Sequence, residues 1–243
     1  MTALPRRRPA PGTPFRLGLV AAVSLASPAA LAGQAVSVQA LVAVPNSSAR
    51  VSGITMRMDG VWAGLGVGID AGRFTLTANG TRGQVNGTPS SAIPATSLGE
   101  VGLGGLFHLA PWLAVGARYT ARALSSAAGY ERWDMMGAGA RVARDLGTPA
   151  VSTFAALTYL PVVRLKNETS PTFGVGGEEG ATVTPAGSPL ALMLVYRIER
   201  FHFSDAAARA AQFETLSLAI GVRAHRQRGR WTLSGSRDAG PPR

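Results

Sequence analysis

The sequence predicts an all-β fold, an antiparallel up-and-down transmembrane β-barrel of eight to ten strands preceded by a cleavable signal peptide. Three observations predict it. Residues Ser97 to Leu124 alternate with a period of two: Leu113, Val115, Ala117, Tyr119, Ala121 and Ala123 on one face, Ala114, Gly116, Arg118, Thr120 and Arg122 on the other. That period marks a strand whose two faces meet different media. Charged residues make up only 15% of the chain against 46% hydrophobic, where about 25% charged is usual in soluble domains. The mean hydropathy is nevertheless only mildly positive. Alternate apolar residues produce that combination, whereas apolar helices do not. Third, the links between apolar-alternating stretches are in turn short and long, as in a barrel with turns at one rim and loops at the other.

Met1 to Ala32 reads as the signal peptide. Arg6, Arg7, Arg8 and Arg16 precede an uncharged, apolar Leu17–Ala32, and Ala30-Leu31-Ala32 places small residues where a signal peptidase reads. The apolar run is shorter than the ~20 residues a helical span requires. The barrel is assigned to 33–226 and a basic, Gly/Pro-rich flexible tail to 227–243.

Ala35 to Ala43 is the first strand and Pro45-Asn46-Ser47-Ser48 a turn. Val51 to Met58 is a second candidate, closed by the Asp59-Gly60 hairpin or bulge signal. Val61 to Ile69 turns Val61, Ala63, Leu65, Val67 and Ile69 outward and Gly64, Gly66 and Gly68 inward. Inward glycines leave room for side chains from other strands. After Asp70-Ala71-Gly72, Phe74 to Gly80 returns, and Thr81 to Thr96 reads as a loop. The Ser97–Leu124 hairpin turns at Ala110-Pro111-Trp112, with Val101, Leu103 and Phe107 opposite Glu100, Gly102, Gly104 and His108. Ser125 to Glu131 reads as a loop, Arg132 to Arg144 as a weaker strand, Val151 to Tyr159 as a strand whose polarity Phe154 breaks, and Pro161 as a strand end or bulge. Lys166 to Ser188, with Glu168, Glu178 and Glu179 among glycines, reads as the longest loop. Pro189 to Ile198 and Phe213 to Arg223 are strands, the latter with Leu216, Leu218, Ile220 and Val222 outward; Trp231 to Leu233 is at most one short strand. This count contains a conflict. The Ser204–Gln212 connection falls at the short-turn rim yet is long, and the last strand ends at the loop rim.

The formal net charge of +11 invites a nucleic-acid reading. Four of those charges lie in the signal peptide, and no basic stripe interleaved with aromatics follows, so nucleic acid is not assigned as a partner. The absence of cysteine excludes disulfides and a lipidated N-terminal cysteine. His108 and His225 are isolated, so no metal site is assigned. No phosphate-cradling glycine loop precedes a helix, so no cofactor is assigned either. Arg118, Arg122, Arg141, Arg197 and Arg223 fall on inward faces, where they either make an anion-attracting lumen or, the favoured reading, pair with Glu100, Glu199 and other lumen acids and fill a narrow barrel. Trp62, Trp112, Tyr130 and Trp133 lie near strand ends, where aromatic girdles sit.

The hairpin Glu100 to Arg122, with its Pro-Trp turn and inward arginines, resembles small bacterial outer-membrane β-barrels of the OmpA/OmpX type, a likeness of pattern over Gly33 to about Arg226. The resemblance implies location in the cell outer membrane, insertion by the outer-membrane assembly machinery, contact with outer-membrane lipid and lipopolysaccharide, and a monomer. The implied role is structural or weakly pore-forming, and no catalytic residue is assigned. Such chains end on a strand with a terminal aromatic; this one reaches Gly221-Val222-Arg223 and continues. Phe201 to Ala206 resembles the His-x-Ser-Asn-Ala segment of outer-membrane lipid A deacylases. That resemblance implies an alternative, a lipid A acyl hydrolase with His202 as base, Ser204 as nucleophile and Glu214 as orienting acid. Asp205 stands where those enzymes carry Asn. A further alternative is a secreted soluble β-barrel holding a small apolar ligand, with the polarity of the two faces reversed.

Overall fold

The computed structural model describes residues 35–51, 54–87, 94–127, 129–146, 151–166, 168–185, 188–204, 209–227 and 230–233. The expected signal peptide and the last ten residues lie outside them. The described residues form eleven strands and no helix: β1 (Ala35–Val51), β2 (Ile54–Ala71), β3 (Phe74–Gly87), β4 (Thr96–Ala110), β5 (Leu113–Ser126), β6 (Gly129–Asp145), β7 (Val151–Lys166), β8 (Phe173–Val183), β9 (Leu190–His202), β10 (Ala210–Gln227) and β11 (Arg230–Leu233). Each strand pairs with its sequence neighbours, and β1 also pairs antiparallel with β10, so ten strands close into a barrel. Closure matters because an open edge in hydrocarbon leaves backbone N–H and C=O groups without partners.

Register fixes the tilt. A row of paired residues leaves β3 at Phe74, passes Phe107, Val115, Ala140, Leu157, Gly177, Ile198, Glu214, Asn46 and Asp59, and re-enters β3 at Asn86, twelve residues further on. With a rise of ~3.3 Å per residue and a strand spacing of ~4.8 Å, that stagger tilts the strands by about 40°.

The conflict in the strand count resolves through β8. Phe173–Val183 is a strand paired with β7 and β9, not part of a loop. Its glycines and two glutamates hide the alternation, since four of its first eight residues carry no side chain to be read as in or out. With β8 counted, β1 begins and β10 ends at one rim, called the lower rim below. The links β2–β3, β4–β5, β6–β7 and β8–β9 lie there, and the link over 203–209 lies at the upper rim.

Three other expected loops are strand over half or more of their length. β3 runs on to Gly87, β1 runs through Pro45–Ser48, and β5 and β6 are separated by only two residues. The Asp59-Gly60 pair sits inside β2 and is not a turn. Pro45 is tolerated because β1–β2 pairing lapses at Val44 and Pro45, where no N–H is needed. Pro161 marks a bulge: Met136 pairs with Val162 and Ala138 with Tyr159, one residue more on β7 than on β6. The tight turn after β2 rests on Gly72, whose φ of +61° is a left-handed conformation that favours glycine. β11 extends the lower rim by pairing with Ala224–Gln227, within and beside the segment read as a tail.

Candidate functional site

Outside, the barrel carries an apolar band. Val38 and Val42, Val61 and Leu65, Leu76, Leu103, Leu157, Leu192 and Leu194, and Leu216, Leu218 and Ile220 are all exposed, Leu157 by 74%. On β10 every second residue from Leu216 to Val222 belongs to it. With strands tilted about 40°, ten residues of each strand span roughly 25 Å, the height of a membrane-barrel band. Water alone would not tolerate so continuous an apolar surface. The secreted soluble barrel required the opposite polarity and is overturned here. Phe74, paired ring to ring with Phe107 at 5.0 Å, and exposed Trp112 mark the lower boundary. Exposed Tyr130 lies beyond the upper one. Trp62 and Trp133, expected in the girdle, instead point into the lumen, 4% and 3% exposed. Their parity explains it: Trp62 shares its face with Gly64 and Gly66, and Trp133 with Met135 and Gly137.

Above the band the strands continue and their outer residues turn polar. Arg82, Gln84 and Asn86 follow the apolar run on β3, and Arg132 and Asp134 precede it on β6. Tyr119 donates its hydroxyl to Asp134 at 2.7 Å, and Arg132 adds two hydrogen bonds at 2.9 and 3.1 Å. One acid breaks the band itself. Glu179 of β8 faces outward between Ala155 and Tyr196, level with apolar residues above and below.

Inside, the upper lumen is filled. Leu98, Leu124, Trp133, Met135, Val163, Leu165, Phe201 and Phe213 form a buried core. Trp133 packs on Phe201 at 4.9 Å and edge-on to Phe213 at 5.5 Å. Beneath this cap lies an ionic network. Arg122 donates from Nε and Nη2 to Glu100 Oε2 at 2.8 and 2.6 Å, and from Nη2 to Glu199 Oε2 at 2.7 Å. Arg197 Nη2 donates to Glu100 Oε1 at 2.7 Å, and Arg118 donates to the other oxygen of Glu199. Arg122 also lies 4.2 Å below the Phe213 ring, tying the network to the cap. Its side chain and that of Glu199 are each 1% exposed. The expected pairing of lumen arginines with Glu100 and Glu199 is therefore present for Arg118, Arg122 and Arg197. Arg223 instead pairs with Asp70 at the lower rim, 2.5 Å, and Arg141 stacks on Phe154 at 3.9 Å. Phe154, the residue that broke the polarity of its strand, is thus a lumen residue in phase with the others.

The lower lumen is open. Glycines make the space: a Cβ on Gly66 would meet Gln39 at 2.6 Å, and one on Gly102 would meet Asn79 at 2.1 Å. A cavity of about 360 Å³ lies below the network and a second of about 670 Å³ at the rim. At the rim, Thr75 donates to Asp70 at 2.7 Å, so the His108 Nε2 contact at 3.0 Å requires that nitrogen to carry the proton. The Thr75 hydroxyl proton is committed to a carboxylate, and His108 is not placed to remove it.

The residues of the deacylase-like reading do not converge. His202 is exposed on the barrel exterior, stacked on Phe173 at 5.2 Å, and Ser204 follows the end of β9. Glu214 pairs with Ile198, four residues from His202, about 13 Å along the strand. Its carboxylate accepts a hydrogen bond from Gln212. Among the described residues no cluster of three or more His, Cys, Asp or Glu is placed to hold a metal ion. The arrangement that the sequence shows only in part is the lumen network, since Glu100 and Arg122 face each other across the β4–β5 hairpin while Arg197 and Glu199 come from β9, far along the chain.

A closed antiparallel sheet, apolar in a band outside and polar within, is a transmembrane β-barrel, and its place is the cell outer membrane. No family model matches the chain, and no curated protein matches it. Solved structures that it resembles in outline include three. These are the translocator domain of the autotransporter NalP from Neisseria meningitidis (14% identity, 79% of this chain and 88% of that one, TM-score 0.49), the outer-membrane protease OmpT from Escherichia coli (10%, 81% and 99%, 0.47) and Neisserial surface protein A (16%, 77% and 97%, 0.38).

Proposed function

We propose that this chain is a structural, non-conducting barrel of the outer membrane without hydrolytic activity. The observation that carries the reading is the filled upper lumen. Fully buried Arg122 and Glu199 lie under an aromatic cap, and these described residues fill the barrel's upper half. A conducting pore instead lines its constriction with groups that water can reach. Reconstitution into planar bilayers tests it: no steady conductance is expected, and stable ohmic steps from folded wild-type protein overturn it.

The collar above the band supports outer-membrane lipid and lipopolysaccharide as the partners of this scaffold. Arg50, Arg57, Arg82, Arg132, Arg164, Arg200 and Lys166 face outward there against Asp59, Asp134 and Glu214. Cations at that height meet the phosphates of the outer leaflet. Lipopolysaccharide added to detergent-purified protein is expected to slow heat-induced unfolding, and the paired change Arg82→Gln and Arg200→Gln to remove part of that gain. Insertion would use the outer-membrane assembly machinery, and the closed sheet supports a monomer, since the barrel satisfies its own edges.

A further inference from the structure

We propose that the lower lumen is a binding site for a small monocarboxylate, entered from the lower rim and anchored by Arg141. Between the Asp70–Arg223 pair at the rim and the aromatic cap, the described lumen holds four guanidiniums (Arg118, Arg122, Arg141, Arg197) and three carboxylates (Glu100, Glu178, Glu199), an excess of one positive charge. Three of the arginines are ion-paired with Glu100 and Glu199. Those three share two carboxylates and so carry the excess between them, while Arg141, which has Glu178 two strands away in its row, is the one guanidinium of the four with no carboxylate in contact. Its guanidinium rests on the Phe154 ring, and among the described residues no carboxylate oxygen lies within 4.0 Å of its nitrogens. Arginine keeps its proton, so the lumen's one unbalanced positive charge persists, and Arg141 lines both cavities without a carboxylate in contact.

The walls have the shape for one. Arg141 of β6 and Glu178 of β8 flank Ala156 of β7 in a single row. The alanine methyl leaves a slot about 10 Å wide between the two flanking backbones. The next row up, Gly139, Thr158 and Gly176, adds one hydroxyl and no bulk. The cavity above this slot is about 360 Å³, and Arg141 lines both it and the larger rim cavity through which a solute would enter. That volume lies within the range of small-molecule sites.

The chemistry selects a carboxylate bearing a single charge. A planar carboxylate matches the guanidinium fork with two parallel hydrogen bonds. One negative charge neutralises the excess. A second would face Glu178 across the slot, which penalises a phosphate dianion. Leu106, Met193 and Val195 line the same cavity and give a short alkyl tail apolar contact.

Isothermal titration of detergent-purified protein at pH 7.5 and fixed ionic strength tests this, with butyrate and inorganic phosphate as probes. Heat-modifiable gel migration verifies that each variant is folded. Butyrate is expected to saturate with one site per barrel and to bind at least tenfold tighter than phosphate. Arg141→Gln is expected to weaken butyrate at least tenfold, and Glu178→Gln to narrow the gap between the two anions. Absence of saturable butyrate binding to folded wild-type protein overturns the proposal, as does equal binding of phosphate or unchanged butyrate affinity in Arg141→Gln. Should Arg141→Gln not fold, Glu178→Gln decides: an unchanged preference for butyrate over phosphate refutes the slot.

Discussion

Replacing Glu199 by glutamine removes one charge from the centre of the barrel and almost no volume. Glu199 accepts from Arg118 on one oxygen and from Arg122 on the other, and its side chain is 1% exposed. Glutamine keeps one acceptor oxygen but turns an NH2 group toward a guanidinium. Arg118 then loses its carboxylate, while Arg122 keeps Glu100. Breaking a buried pair by removing one partner costs about 3–5 kcal/mol. Arg118 is 22% exposed on its cavity side, so water recovers part of its loss and the expected cost lies near the lower figure, about 3 kcal/mol. Urea unfolding from lipid vesicles, followed by the fluorescence of Trp133 buried in the cap, measures it. Glu214→Gln on the exterior is the control for loss of a carboxylate as such. A cost below about 1 kcal/mol for Glu199→Gln would refute the view that the network is an electrostatic keystone. A double-mutant cycle with Arg118→Met then separates the pair from the background: a coupling energy near zero assigns the loss to packing.

Three further outcomes follow from the same geometry. Leu157→Arg, at the most exposed apolar residue of the band, is expected to cost about 2–4 kcal/mol in vesicles; a loss under about 0.5 kcal/mol, normal for a water-facing surface, would contradict the membrane placement. Glu179→Leu should stabilise the vesicle-inserted barrel by on the order of 1 kcal/mol, because it removes a carboxylate from the lipid face, and a destabilised variant in the same unfolding assay would show that this acid has a partner. Mass spectrometry of lipid A from cells expressing wild-type protein or Ser204→Ala should show one and the same acyl pattern, and a shortened acyl set that depends on Ser204 would restore the hydrolase reading.

Legibility in the sequence followed the solvent. Within the band, one face meets hydrocarbon and the other the lumen, so the alternation of Leu216, Leu218, Ile220 and Val222 with Ser217, Ala219 and Gly221 announces both a strand and its orientation. Above the band the polarity inverts, with polar residues outside and the apolar cap within. Arg82 to Asn86 then alternate with nothing distinctive, and a strand looks like a loop. β8 is hidden for a related reason: Gly174, Gly176, Gly177 and Gly180 erase the pattern, and Glu179 contradicts it. The parity of the links nevertheless required another strand.

The amino-acid order by itself determined that this chain alternates, which residues share a face, and that arginines and glutamates would meet inside a narrow barrel. That information is local, set by the two-residue period of an extended backbone. Only the tertiary structure decided which of them meet. A stagger of twelve residues around ten strands brings Glu100, Arg118, Arg122, Arg197 and Glu199 to one level, places Trp62 and Trp133 within, and leaves Arg141 opposite Glu178. Stagger is a property of the closed sheet as a whole, summed over every ladder, and no single stretch of sequence contains it.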